Sequence, residues 1–282
     1  MRKRRLDNTA ETQTTSAKIE KPAGRDNQFN QGIAKAFAIL RCFHDGETGL
    51  TNKVIALRTG LPQSTVSRLA YTLLEMGYLT YSEEDAIYRL GPGVISLAAP
   101  ILSGLGFRKR ARELMQDLAN ESQATVALGS RQAMRMVYLE VRHSRDAILL
   151  NCSIGMSVRI ATTAIGRAYL YALPEAERAR LMTEIEAATG DDWPSVRKRI
   201  DQSFEDIAEY GFCLSIGEFH PEINVAAAPL RYEPTGDVYA INCGGPASLV
   251  TPKRLETRFG PRLVDIAGQI ALTEATEGRV ES

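Results

Sequence analysis

Between residues 59 and 79 the chain reads TGLPQSTVSRLAYTLLEMGYL, and this stretch constrains the fold more than any other. Gly60 and Pro62 interrupt whatever precedes them, and apolar residues then recur at helical spacing. On a helix starting near Pro62, Val66, Leu69, Ala70, Leu73 and Leu74 fall toward one side and are expected to be buried. Gln63, Ser64, Thr65, Ser67, Arg68, Tyr71 and Thr72 are left outside or at the leading tip. Pro62 suits the first helical position, where its missing N–H costs nothing. Small hydroxyls at a helix start cap the helix in many proteins, so the front of this helix has to be read together with its neighbours.

Those neighbours point one way. QGIAKAFAILRCF places Ile33, Ala36, Phe37, Leu40 and Phe43 at amphipathic spacing, and DGETG breaks the helix. Thr51 is a plausible cap for a second helix, NKVIALRT, which Gly60 ends. After Gly77 two short strand-like runs, YLTY and AIYRL, flank the acidic SEED. Helix, helix, turn, helix, hairpin is the order of a winged helix-turn-helix, in which the front of the third helix meets base edges in the major groove. The start of that helix carries partial positive charge and free N–H groups that favour phosphate. Small hydroxyls let its backbone approach the groove. Arg68 has the fork that matches a guanine edge or a phosphate, and Gln63 the amide that matches adenine. The tip of the hairpin is acidic, so Arg89 and the strand backbones, rather than the tip, are expected to face phosphate.

Residues 1–28 are polar and too poor in large apolar side chains to offset their ordering entropy, which predicts a disordered tail with a basic RKRR start. The DNA-binding domain is expected over 29–91. GPG at 91–93 marks a boundary, and the apolar GVISLAAPILSGL reads as a linker helix within 92–106 that Pro100 ends or kinks. From 107 to 276 helical and strand-like runs mix without a regular βαβ repeat, which predicts an α+β domain with a largely antiparallel sheet. Its strands are expected in TVALGS, MRMVYLEVR, AILLNCSI, GFCLSIGEF, INVAAAPLR and VYAINCGG. Helices are expected at 107–122, 174–188 and 194–209, with a closing one at 252–275 interrupted at Gly260-Pro261.

Composition narrows the function. The net charge is zero, but residues 1–90 hold 13 Lys/Arg against 10 Asp/Glu, a mildly basic front end. No run of 18 apolar residues predicts a membrane helix, and the N-terminus lacks a signal-peptide core. The four cysteines form no CxxC and the three histidines no metal-ligand spacing, so reduced thiols in a cytoplasmic protein are expected, with neither metal nor cofactor.

LTNKVIALRTGLPQSTVSRLAYTLLEMGYL followed by YRLGPGVISLA resembles the DNA-binding domain of the IclR family of bacterial transcription regulators. GMSVRIATTAIGRAYLYAL, YGFCLSIGEFHPEINVAAAPL and YAINCGGP are similar to its effector-binding domain. The resemblance spans about residues 30–275. It implies a winged helix-turn-helix, a linker helix and a C-terminal domain related to GAF and PAS folds. It also implies homodimers, often paired into homotetramers, that sense small carboxylates and control catabolic operons. ATTAIGRAYLYAL fits such an effector site on its own chemistry: Thr162 and Thr163 precede a helix whose small residues let a ligand reach free N–H groups. Motif by motif, the resemblance puts the N–H pair on Ala164 and Ile165 and an apolar wall on Leu150. It puts polar or lining positions on Ser215, Val225, Asn242 and Gly244, with two residues inserted just downstream of Ser215. Glu218 and His220 could line the mouth of the site or hold its loop, and Arg159 could pair with a second carboxylate.

The expected function is a metabolite-responsive DNA-binding regulator. One alternative is a DNA-binding protein whose C-terminal domain takes no ligand. Another is an enzyme fused to a DNA-binding domain, with Cys152 or Cys213 as nucleophile and His143 or His220 as base; no GxSxG, P-loop or GxGxxG supports it.

Overall fold

The structure, a computed structural model, describes residues 29–44, 46–144 and 152–273. The tail expected over 1–28, Leu150 and most of the strand expected over AILLNCSI lie outside them. The chain divides into two compact units, Met1–Ile101 and Leu102–Ser282.

In the first unit, α1 (Gln31–Arg41) starts at Asn30, whose side chain accepts from the Gly32 and Ile33 N–H groups. Thr51 caps α2 (Asn52–Thr59) by accepting from Val54 N–H, and Gly60 closes it in the left-handed region at φ 69°. Helix α3 (Gln63–Glu75) follows after a three-residue turn, with Pro62 just before the helix rather than first within it. Strands β1 (Leu79–Ser82) and β2 (Ile87–Leu90) pair antiparallel, and Leu50 exchanges backbone hydrogen bonds with Tyr88 on the other side of β2. Ile39, Ile55, Val66, Ala70, Leu73 and Leu79 form the core.

Helix α1 keeps part of its expected face, with Ala36, Leu40 and Phe43 half-buried against the core, and turns the rest outward. It buries Ala38 and Ile39, with Cys42 just beyond it, and leaves Ile33 59% and Phe37 46% exposed. The helix carries two apolar stripes, and periodicity alone does not choose between them; the face of α3 does. Helix α4 (Gly93–Gly104) follows the wing. Pro100 sits inside it without ending it, and although the helix is apolar throughout it buries no residue.

The second unit starts with α5 (Arg108–Ser122), β3 (Thr125–Gln132), β4 (Arg135–His143) and β5 (Ser157–Arg159). Three helices follow: α6 (Ala164–Ala172), α7 (Glu175–Thr189) and α8 (Trp193–Tyr210). Then come β6 (Cys213–Ile216), β7 (Ile223–Tyr232) and β8 (Asp237–Pro246). The six strands form one antiparallel sheet in the order β5-β4-β3-β8-β7-β6.

Side chains alternate between two cores. Val126, Leu128, Ala226, Ala228, Ile241 and Cys243 pack under α5 and the C-terminal helix, while Ala127, Tyr138, Cys213, Ala227 and Ala240 pack under α6, α7 and α8. Buried Glu140 ties α5 to β4 by accepting from Arg108 Nε at 2.8 Å and Arg112 Nε at 2.9 Å, with Arg142 Nη2 at 2.7 Å. The closing helix is not interrupted at Gly260-Pro261. Instead α9 (Pro252–Arg254) passes through a π turn at Leu255–Phe259 into α10 (Gly260–Ala271). The wider turn accommodates Pro261, which has no N–H to bond backward.

Candidate functional site

The front of α3 is uncapped. The residue before it is Pro62, with no side-chain cap bond, so its first N–H groups face outward without a hydroxyl partner. The hydroxyls expected there do other things. Ser67 Oγ donates back to Gln63 O at 3.0 Å and accepts from Asn52 Nδ2 at 2.8 Å, which pins the start of α2 to the exposed side of α3. Thr72 Oγ1 donates to Arg68 O. Gln63 at the leading tip is exposed, as are Ser64, Ser67, Arg68, Tyr71 and Thr72, and Thr65 is half-buried, while Val66, Ala70 and Leu73 are buried. Tyr71, 64% exposed, is a large side chain standing in solvent at the middle of this face. Arg89 is engaged within the wing: Nε donates to Thr48 O at 2.7 Å and Nη2 lies 3.3 Å from Asp85. A phosphate contact by Arg89 would therefore compete with Asp85.

In the second unit the strand register gathers most of the expected effector residues. Cys213, Ala227, Asn242, Ala127 and Val141 lie opposite one another across five strands, and so, two residues along, do Ser215, Val225, Gly244, Thr125 and His143. With a side-chain period of two, both rows face α6. The start of α6 sits over the first row, where Cys213 Sγ contacts Ala164 O at 3.6 Å.

The start of α6 is built for close approach. Thr163 caps it by accepting from Gly166 N–H, and Gly166 lies so tightly against the Ile160 backbone that a Cβ could not fit. The N–H groups of Ala164 and Ile165, both buried, take no partner among the described residues. Ser215, 2% exposed, has an unpartnered Oγ, and Asn242 has an unpartnered, buried Oδ1. Val225 covers Gly244: a Cβ on Gly244 would lie 2.8 Å from Val225 Cγ2, so the side chain missing there is replaced by its neighbour's. Leu150 lies outside the described residues.

Two participants escape a motif-based reading. Tyr138, opposite Gly129, lies on the same face as Asn242, and burial raises its phenol above the usual range, so it stays protonated. The His143 ring is held by Thr125 Oγ1 at Nδ1 (3.0 Å) and by Cys152 O at Nε2 (3.0 Å). A carbonyl can only accept, so the neutral ring carries its proton on Nε2 and accepts at Nδ1. Only the register could have shown that Tyr138 and His143 share a face with Asn242.

Arg167, on α6 and 3% exposed, pairs with Glu218, which Arg199 on α8 also meets at 2.9 Å. Glu218 thus ties the loop between β6 and β7 to two helices. His220 holds that loop itself, accepting at Nδ1 from Glu222 N–H. Arg159 is exposed on β5 opposite Arg135. Burial pushes the Cys213 thiol up to about 12 and the Cys152 thiol to about 11, and His143 meets the Cys152 carbonyl rather than its sulfur. Neither cysteine is arranged as a nucleophile.

Comparison with known proteins matches both units. Residues 32–83 match the IclR helix-turn-helix domain and residues 99–272 the family described as bacterial transcriptional regulator IclR C-terminal. The structure of an IclR family transcriptional regulator from Brucella abortus is 38% identical, with a TM-score of 0.77, and the match covers 93% of this chain and 98% of that one. The transcriptional regulator TsaQ1/TsaQ2 of Comamonas testosteroni is 28% identical over 84% of this chain and 86% of its own length. The Pca regulon regulatory protein of Pseudomonas putida is 24% identical over 85% and 82%. An IclR homologue from Microbacterium hydrocarbonoxydans, solved with 4-hydroxybenzoate, shares the fold at 18% identity and a TM-score of 0.66, over 85% of this chain and 97% of that one. An uncapped helix-turn-helix face on one unit, an antiparallel α+β fold on the other and matches over both make this chain a member of the IclR family of DNA-binding transcriptional regulators.

Proposed function

We propose that the protein is a cytoplasmic, metabolite-responsive regulator of a catabolic operon that binds a small organic acid at the start of α6 and thereby changes its affinity for an operator. One observation carries this reading: the buried, unpartnered N–H groups of Ala164 and Ile165 begin a helix over a floor that includes Ser215 and Asn242. Buried N–H groups without acceptors are costly, and a helix start is where an anion relieves that cost. The relative that crystallised with 4-hydroxybenzoate supports an acid as effector. Ligand and operator are then linked: an acid that prefers one DNA-affinity state shifts the other equilibrium by the same factor.

On DNA, Gln63, Ser64, Thr65, Ser67, Arg68, Tyr71 and Thr72 enter the major groove while Arg89 meets the backbone. The working form is at least a homodimer. A second copy covers the apolar α4 and the Ile33–Phe37 stripe, which this chain leaves bare, and presents the second recognition helix for a two-fold operator.

Calorimetric titration with carboxylates and their neutral amides tests the effector reading. Acids are expected to bind and amides to bind at least tenfold more weakly. Binding of cations with no acid bound overturns it.

A further inference from the structure

The hydroxyls on α3 differ in whether their hydrogen is free. Those of Ser64 and Thr65 take no hydrogen-bond partner among the described residues, so each can turn to donate or to accept. Ser67 is different. Its Oγ lies 3.0 Å from Gln63 O and 2.8 Å from Asn52 Nδ2. A carbonyl can only accept and an amide nitrogen can only donate, so the two partners fix the hydroxyl: its one hydrogen goes to Gln63 O and one lone pair goes to Asn52. Turning the amide over would set the Asn52 carbonyl and Gln63 O against that single hydrogen. It would also put Nδ2 in the buried place where Oδ1 now lies without a partner. Thr72 makes only the bond back along the helix, to Arg68 O at 3.2 Å, and no second partner among the described residues holds its rotamer.

We infer, building on the reading that α3 enters the major groove, that Ser67 is a specificity-determining residue: it accepts a hydrogen bond from an amino base, adenine or cytosine, and disfavours guanine and thymine at the position it meets. What its Oγ has left to offer is a lone pair, on an exposed residue one turn beyond Gln63 and next to Arg68. In the major groove adenine N6 and cytosine N4 donate, while guanine O6 and thymine O4 accept. An unconstrained serine reads either kind by turning its hydroxyl. Ser67 cannot turn its hydrogen outward without giving up Gln63 O and disturbing the Asn52 bond, so a guanine or thymine would set two acceptors face to face. Asn52, at the start of α2, acts through Ser67 as a positioning residue. Every base pair carries one amino and one keto group across the groove. The preference therefore fixes which strand holds the amino base, not whether the pair is A·T or G·C.

Selection of binding sites from a random duplex library by the full-length protein, followed by fluorescence anisotropy on single-position changes of the selected site, tests the inference. Wild-type sites are expected to hold one position in each half-site where A and C are both accepted and G and T bind roughly three- to tenfold more weakly, the worth of one hydrogen bond. Ser67→Ala is expected to erase that preference and leave the other positions as they were. Asn52→Ala, which releases the hydroxyl on one side, is expected to narrow it. Arg68→Ala serves as the control for the groove reading, through a change of preference elsewhere in the site or weaker binding throughout. If Asn52→Ala does not fold, the wild-type and Ser67→Ala comparison decides alone.

A position that prefers G and T, and loses that preference in Ser67→Ala, overturns the inference, since the hydroxyl would then be donating. Wild-type sites with no such amino preference overturn it too, as does Ser67→Ala that leaves every position unchanged. In each of these cases an effect of Arg68→Ala leaves the major-groove reading standing. If neither Ser67→Ala nor Arg68→Ala alters affinity or preference, that reading falls with the inference.

Discussion

Arg68 shows how much one residue depends on its setting. It is exposed one turn into an uncapped helix whose buried side is Val66, Ala70 and Leu73, so its guanidinium is free to reach a base or phosphate. Arg68→Ala is expected to weaken operator binding by about 1–3 kcal/mol if it reads a guanine. Discrimination against operators changed at one position should fall as well, as measured by fluorescence anisotropy at fixed salt. A uniform loss across sequences with a shallower salt slope would assign it to phosphate instead, and unchanged affinity would remove α3 from the interface. Gly166 was legible as a small residue near a helix start, but its packing was not: the Ile160 backbone occupies the space a side chain would take. Gly166→Ala is therefore expected to cost about 1–3 kcal/mol in urea unfolding through overpacking.

At the scale of elements, ion pairs set helices and loops where periodicity could not. Arg58 at the end of α2 grips Glu47 with two bonds, of 2.6 and 2.8 Å, and also donates to Cys42 O, fixing the loop between α1 and α2. The Arg58 hydrogen bond, outweighing burial, holds the Glu47 carboxyl below its usual value. A depressed carboxylate adds stability that is complete above its unfolded value, about 4.3, and fades as pH falls through the lower folded value. Protection of the α2 amides relative to their intrinsic exchange is thus expected to fall below about pH 4, and Glu47→Gln should remove that acid-dependent step while lowering protection at neutral pH.

The Glu218 bridge works alike in the other unit. Arg167→Met strands Glu218 with the exposed Arg199 alone and is expected to cost about 3 kcal/mol, the low end for breaking a buried pair. Adding Glu218→Gln should recover part of that loss, and strictly additive losses would show that the two are not coupled. The sequence drew attention to Glu218 but not to its partner. Arg167 lies inside a helix 51 residues away, and nothing local marks it as paired.

At the scale of the whole molecule, α4 and the bare stripe of α1 raise the question of assembly. Ile33→Glu with Phe37→Glu is expected to yield monomers in sedimentation velocity and to weaken operator binding, while the buried core of the first unit, Ile39, Ile55, Val66 and Ala70, stays untouched. A variant that remained dimeric would move the interface elsewhere. The sequence by itself determined the order of elements in the first unit, the helix-turn-helix and its outward face, because turns, caps and hydrophobic periods are local properties of consecutive residues, whereas the strand expected in AILLNCSI gives way to one at Ser157–Arg159. It also placed Ala164 and Ile165 at a helix start. Tertiary structure alone decided which stripe of α1 is buried, that Arg167 meets Glu218, that Val225 fills the place beside Gly244, and that Tyr138, Asn242 and Ser215 share one face of the sheet. Each of these rests on strand register or on packing between distant segments, and the energy that selects among such pairings belongs to the fold as a whole rather than to any stretch of chain.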